Sequence, residues 1–162
     1  DLKSHNVLLH QDGAKVCDFG IARALERTLL SDAATRTSAS RATAGTPAWM
    51  APELFHDEAV VTTSCDVYSF SVLIWELLAR ETPWDWLNNH MQIIFAVAIQ
   101  SQRLPLDRHD IFTRADDDEI SALVDKIMVP CWQTDPGSRP NFTDVVFALR
   151  RLLERRLRRN EE

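Results

Sequence analysis

Between Cys65 and Arg80 the chain offers almost no polar face. Val67, Tyr68, Phe70, Val72, Leu73, Ile74, Trp75, Leu77 and Leu78 are spread so that a helix through them is apolar nearly all round. Such a helix is stable only when other elements surround it, so it belongs in the middle of a core and the rest of the chain must be built around it. Ser64 stands where a cap is wanted. Further helices are predicted over His90 to Gln100 and Asp117 to Met128, the latter with acidic residues favourably placed in its first turn. A last helix beginning near Asn141 sets Phe142, Val146, Leu149, Leu153 and Leu157 on one face. Val7-Leu8-Leu9 and Ala14-Lys15-Val16-Cys17 flank Gln11-Asp12-Gly13 and read as a hairpin whose glycine accepts the positive φ of the turn. Residues 28–46 are rich in Ser, Thr, Ala and Arg and read as a long loop. The 162 residues show no internal repeat and no compositional linker. One mainly α body with a hairpin at its start is the expected architecture.

Composition excludes several functions. The four glycines, Gly13, Gly20, Gly45 and Gly137, lie too far apart for a G-x-G-x-x-G or G-x-x-x-x-G-K phosphate loop. A net charge of -6 argues against a protein that coats nucleic acid. Cys17, Cys65 and Cys131 are odd in number and lack C-x-x-C spacing, so they read as reduced thiols in a cytoplasmic or nuclear compartment. The longest apolar run, Ile93 to Ile99, is far shorter than a membrane span. Five histidines are scattered without H-x-x-x-H spacing, which speaks against a zinc site. The five tryptophans are expected to pack in the core and its loops. The basic stretch from Arg150 to Arg159 fits either the solvated face of the last helix or a contact with an acidic surface.

Polar residues of the first twenty positions form the candidate chemistry. The hairpin folds the Asn6 end of one strand beside the Asp18 end of the other, so both offer oxygen ligands at one point, as Mg²⁺ bound with phosphate requires. Asp1 stands ready to accept a proton from a hydroxyl, and Lys3 supplies a positive charge. A base, a cation and two metal ligands are what phosphoryl transfer needs. Taken alone, the same four residues also fit ordinary turns, where Asp and Asn are common.

Longer strings separate these readings. Asp1-Leu2-Lys3-Ser4-His5-Asn6 resembles the catalytic loop of eukaryotic protein kinases, and Asp18-Phe19-Gly20, twelve residues after Asn6, resembles their magnesium-binding motif. Gly45-Thr46-Pro47-Ala48-Trp49-Met50-Ala51-Pro52-Glu53, Asp66-Val67-Tyr68-Ser69-Phe70 and Asp135-Pro136-Gly137-Ser138-Arg139-Pro140 follow in family order. The chain therefore resembles the large, C-terminal lobe of a kinase domain over residues 1–155, followed by a tail at 156–162. D-L-K-S-x-N and G-T-P-A-W-M-A-P-E are most similar to the tyrosine-kinase-like Ser/Thr group, with its Raf-like and mixed-lineage members.

The resemblance implies a role for each matching residue. Asp1 would be the catalytic base, Lys3 would contact the transferred γ-phosphate of ATP, and Asn6 and Asp18 would hold Mg²⁺. Leu8 would lie under the adenine with Cys17 near the nucleotide, Phe19 would switch with the active and inactive arrangements, and Gly20 would end the metal-binding motif. Thr46 and Trp49 would line the path of a protein substrate, and Lys3 with Thr46 implies Ser/Thr specificity. Glu53 and Arg139 would form a buried ion pair, and Asp66 would hold the backbone of the catalytic loop. Residues between Gly20 and Ala51 would be an activation loop, with Ser40 and Thr43 the favoured acceptors of an upstream kinase's phosphate.

The same resemblance sets a limit. The chain starts at the catalytic aspartate, so the small lobe, its glycine-rich loop and its lysine are expected to lie outside it. The 162 residues by themselves are then expected not to transfer phosphate and to aggregate or be partly molten, with the helix at 65–80 uncovered on one side. The rival expectation is a catalytically inactive fragment, either a binding or scaffold module or a truncated gene product.

Overall fold

In the computed structural model residues 1–20, 46–56, 61–113 and 118–159 are described. The chain opens with a 3₁₀ turn at Ser4–Asn6 and an antiparallel hairpin, β1 (Val7–His10) and β2 (Gly13–Val16). Its register pairs Val7 with Val16, Leu8 with Lys15, Leu9 with Ala14 and His10 with Gly13. Gly13 takes φ 121°, a value that a Cβ would strain, so Asp12-Gly13 turns the chain as the sequence predicts. Both strands are largely exposed.

Two 3₁₀ turns, Pro47–Trp49 and Pro52–Phe55, lead into α1 (Ser64–Ala79). Around α1 lie α2 (His90–Ile94), α3 (Asp110–Thr113), α4 (Asp118–Leu123), α5 (Val129–Cys131) and α6 (Phe142–Arg159). Cys65, Val67, Tyr68, Val72, Leu73, Ile74 and Trp75 of α1 are all buried, as expected for a helix with no polar face. Burying one such aliphatic side chain stabilises by about 1.5–3 kcal/mol. The hydroxyls of Ser69 and Ser71 are spent on carbonyls of Trp49, Cys65 and Tyr68, which makes them tolerable inside. Trp75 is fully buried, donates its indole N–H to Pro105 O at 2.9 Å and stacks on Phe112. Four of the five tryptophans (Trp49, Trp75, Trp84 and Trp132) are in the core.

Several sequence expectations are corrected. Ser64 is the first residue of α1 rather than its cap; Thr63 is the N-cap, and Thr62 Oγ1 accepts the Ser64 N–H at 3.3 Å. Asn89 Oδ1 caps α2 through the Gln92 N–H at 3.0 Å. The predicted helix at 90–100 passes from α2 into a wide turn of i→i+5 bonds at Phe95–Ile99, and the one at 117–128 passes from α4 into another at Val124–Met128. Pro130 follows the second: its ring would collide with a carbonyl one turn back, and the wide turn opens the space. On α6 the buried residue is Val145, with Ala148, Leu149 and Leu152 packed beside it, while Phe142, Val146, Leu153 and Leu157 are exposed. α6 runs on to Arg159. No helix among the described residues is long and apolar enough to cross a membrane.

Candidate active site

Backbone bonds place the first twenty residues before any side chain acts. Asn6 N–H donates to Lys3 O at 3.0 Å, closing the turn, and Cys17 N–H donates to Asn6 O at 2.8 Å. That second bond extends the hairpin by one pair and sets Asn6 across from Cys17, next to Asp18. Asp18 takes φ 60°, the left-handed region that Asp adopts more readily than most residues. Its Oδ1 accepts the Gly20 N–H at 3.1 Å, and a Cβ at position 20 would stand 3.1 Å from the same oxygen. Glycine there leaves the carboxylate room to turn back.

Around Asp1 the side chains converge from three places. Lys3 Nζ donates to Asp1 Oδ2 at 2.7 Å and to Thr46 Oγ1 at 2.6 Å. Asn6 Nδ2 donates to Asp1 O at 2.7 Å and approaches Oδ2 at 3.4 Å. Thr46 N–H donates to Asp1 Oδ1 at 3.2 Å. Lys3 thus bridges the carboxylate of Asp1, two residues before it, and a hydroxyl 43 residues beyond it, and both ends of the Lys3–Asp1 ion pair are largely shielded from water. Oδ1 of Asp1 carries one long bond and keeps a lone pair for an incoming proton.

A donor set for a metal can be tested on the same residues. The Asn6 amide spends its N–H₂ on Asp1 and keeps its oxygen, and Gly20 engages only one oxygen of Asp18. Two hard oxygens without thiol or imidazole suit Mg²⁺, which takes its remaining ligands from phosphate and water. Among the described residues no group of three or more His, Cys, Asp or Glu gathers to hold a metal. A cation here would therefore depend on the phosphates it accompanies. By strand alternation Leu8 and Cys17 lie on the same hairpin face as Asn6. Leu8 is exposed, Cys17 half-buried, and Phe19 exposed.

Farther off, Arg139 and Glu53 are brought together. NH1 and NH2 of Arg139 donate to Glu53 Oε1 and Oε2 at 2.7 and 2.8 Å, and the arginine side chain is wholly buried. Cys65 Sγ donates to Glu53 Oε1 at 3.2 Å. Burial pushes the Cys65 thiol up to about 12, with the neighbouring Glu53 carboxylate adding to the shift.

Asp66 is exposed in the first turn of α1. Trp49 is only 4% exposed. Gly45, Ser40, Thr43 and the rest of residues 21–45 lie outside the described residues. Ser4 and Glu76, which sequence reasoning passed over, do join the site: Ser4 Oγ donates to Glu76 Oε1 at 2.6 Å, and Trp49 Nε1 donates to Oε2 at 3.0 Å. The available signal was a carboxylate standing inside an otherwise apolar helix.

Comparison with known proteins adds the following. The family described as protein kinase domain matches residues 1–148. The probable serine/threonine-protein kinase SIS8 of Arabidopsis thaliana is 38% identical over 153 residues, covering 94% of this chain and 13% of that protein. Serine/threonine-protein kinase CTR1 of the same plant is 38% identical over 155 residues, 95% of this chain and 16% of its own length. The human mitogen-activated protein kinase kinase kinase 13 is 37% identical over 150 residues, 92% of this chain and 13% of its own. The chain thus spans 13–16% of the length of these relatives.

Proposed function

The chain belongs to the protein kinase domain family, and on that premise we propose that its first twenty residues, with Thr46, carry the phosphoryl-transfer site of a Ser/Thr protein kinase that uses ATP and Mg²⁺. The observation that carries this reading is Lys3 Nζ held between Asp1 Oδ2 and Thr46 Oγ1. Asp1, Lys3 and Thr46 lie within hydrogen-bond reach of one another, which supports reading them as base, cation and substrate-facing residue.

In the proposed reaction a protein Ser or Thr hydroxyl gives its proton to Asp1 Oδ1 as its oxygen bonds to the γ-phosphorus. The bond from that phosphorus to the bridging oxygen breaks and ADP leaves with the electron pair. Lys3 neutralises charge on the transferred phosphoryl group. Asn6 and Asp18 are the residues that would hold Mg²⁺, whose contribution is to neutralise and orient the phosphates. Leu8 and Cys17, on the same hairpin face as Asn6, would line the nucleotide. The relatives' names as serine/threonine kinases support the hydroxyl class. A protein substrate follows from it, an upstream kinase acting on residues 21–45 is compatible with it, and a nucleic-acid partner is disfavoured by the net charge of -6. Three unpaired thiols favour a cytoplasmic setting.

The test is phosphate transfer from Mg·ATP to a generic Ser/Thr protein by the intact protein. Asp1→Asn keeps a hydrogen-bonding group but removes the base, and is expected to lower kcat by about 10²–10⁴-fold. Asp18→Asn should weaken Mg²⁺-dependent nucleotide binding, read by calorimetry. Undiminished transfer in Asp1→Asn would overturn the assignment.

A further inference from the structure

The last helix carries a face that neither the core nor the phosphoryl-transfer site uses. Val145, Ala148, Leu149 and Leu152 hold α6 to the body, yet Phe142, Val146, Leu153 and Leu157 follow one another along it at 37% to 57% exposure. Residues 153–159 are all exposed, so the last two turns lie wholly at the surface. The same 18 residues hold six arginines against two acids, Asp144 and Glu154. Arg155 lines a groove with Asp118 and Asp125 of the neighbouring segment. Arg156 and Arg159 reach Glu119 at 3.7 and 3.8 Å through contacts open to water, and exposed pairs of that kind hold a side chain only weakly. By helical order Arg150 and Arg156 stand on the two borders of the exposed stripe. An apolar row edged by cations on both sides is the pattern of a helix that lies in the plane of a membrane interface.

We propose that this outer face of α6 rests on an anionic phospholipid bilayer, with Val146, Leu153 and Leu157 among the upper acyl carbons and Arg150 and Arg156 at the lipid phosphates. Charge complementarity selects this occupant. A bilayer supplies apolar depth and a continuous sheet of negative charge together, and guanidinium groups on long stems reach from the borders of the stripe to the phosphates. A second copy would set the same arginines against themselves, with only Asp144 and Glu154 on each helix to offset them. The chain's net charge of -6 does not oppose the contact. At physiological salt a charge is screened within about 8 Å, so the cations of α6 itself govern what approaches it. The cytoplasmic leaflet of a cell membrane carries anionic lipid, in keeping with the setting proposed above. None of this depends on phosphoryl transfer.

The experiment sediments the intact protein with vesicles of phosphatidylcholine containing phosphatidylserine, and with vesicles of phosphatidylcholine alone. Binding is expected to the first only. It should weaken as added salt shortens the Debye length from about 10 Å at 0.1 M to about 3 Å at 1 M. Arg150→Gln with Arg156→Gln should weaken binding about 30-fold, about fivefold for each charge removed. Leu153→Gln with Leu157→Gln leaves the charge unchanged and should weaken binding at least about tenfold, because two side chains no longer leave water. Binding to neither vesicle, or equal binding to both, overturns the proposal. So does unchanged binding in both double variants, which would place the contact elsewhere in the protein. A loss confined to one of the two pairs also overturns it, since the face needs both its cations and its apolar row. A dimer that the leucine pair dissociates and that ignores vesicles would give the face to a second copy. Capture of polyglutamate without capture of vesicles would give it to an acidic polypeptide, and either result decides against the bilayer. Should the leucine pair fail to fold, Leu157→Trp decides: brominated lipid is expected to quench the added emission, and unquenched emission overturns the proposal.

Discussion

Burial acts unequally on the three cysteines. Cys65 and Cys131 are buried, and desolvation raises their thiols to about 12 and about 11, whereas Cys17 is half-buried beside the site. Tyr68 follows the same rule: burial raises it to about 12 against the opposing charges of Arg103 and Arg139, whose guanidinium carbons lie 5.4 and 5.1 Å from its ring centre. Each of these groups stays protonated in the folded protein over a range where the unfolded chain, with thiols at 9.0 and the phenol at 10.0, has begun to ionise. Stability is therefore full below the unfolded values and falls as pH rises from 9.0 towards about 12. Urea midpoints should drop over that interval, and Cys131→Ala should flatten the drop. Near neutral pH, iodoacetamide should label Cys17 first and reach Cys65 and Cys131 only on unfolding, as mass spectrometry of the native and denatured protein would show. At this scale much of the proposed site's geometry was legible, because Asp1, Lys3, Asn6 and Asp18 stand in short strings that the turn and the hairpin fold close to one another. Glu76 was not, since which helix residue meets Ser4 is set by how α1 lies beneath the loop, a tertiary fact that no local string contains.

The last helix shows where periodicity stops being informative. Spacing finds the apolar stripe of Phe142, Val146, Leu149, Leu153 and Leu157, but Val145, Ala148 and Leu152 lie directly beside it on the same cylinder, and of the predicted stripe only Leu149 packs with them against the core. Only the packing partners decide which stripe turns inward, and Val145, 2% exposed, marks the choice. Val145→Ala is expected to cost about 2 kcal/mol of folding free energy, while Leu153→Gln should change it by less than about 0.5 kcal/mol; urea denaturation of the two variants measures both. Equal costs would mean that the helix is rotated from the orientation described. The wide turns at Phe95–Ile99 and Val124–Met128 escaped the sequence for a related reason: apolar spacing registers a helix but is nearly blind to one extra residue in a turn. α1 is less affected, because its apolar residues run nearly all round and most of them are buried, although Leu77 is exposed.

Across the whole molecule, α1 supplies the centre and Arg139 ties the outer parts to it. All five guanidinium N–H groups are used, on both oxygens of Glu53 and on the carbonyls of Ser64, Gln133 and Thr134. The segment leading to Glu53, the start of α1 and the turn before α6 thus meet at one cation. Arg139→Met leaves the Glu53 carboxylate buried without its partner and should destabilise by about 3–5 kcal/mol, whereas Glu53→Met with Arg139→Met together should cost much less. Denaturant titration of the two singles and the double closes that cycle, and additive losses would show that the charges act independently. The mainly α body with an initial hairpin was legible from composition and pattern. The convergence on Arg139 was legible only through family resemblance, because nothing local links residues 86 apart.

That separation also bears on how the chain folds. Bringing Glu53 and Arg139 together closes a loop of 86 residues, and the entropy of closure is lost before the two bonds to the Glu53 carboxylate offset it. The hairpin and the individual helices need only neighbours in sequence and can form early, while this contact waits for both of its distant ends. The guanidinium is then a late fastener, and removing it should quicken unfolding far more than it slows folding.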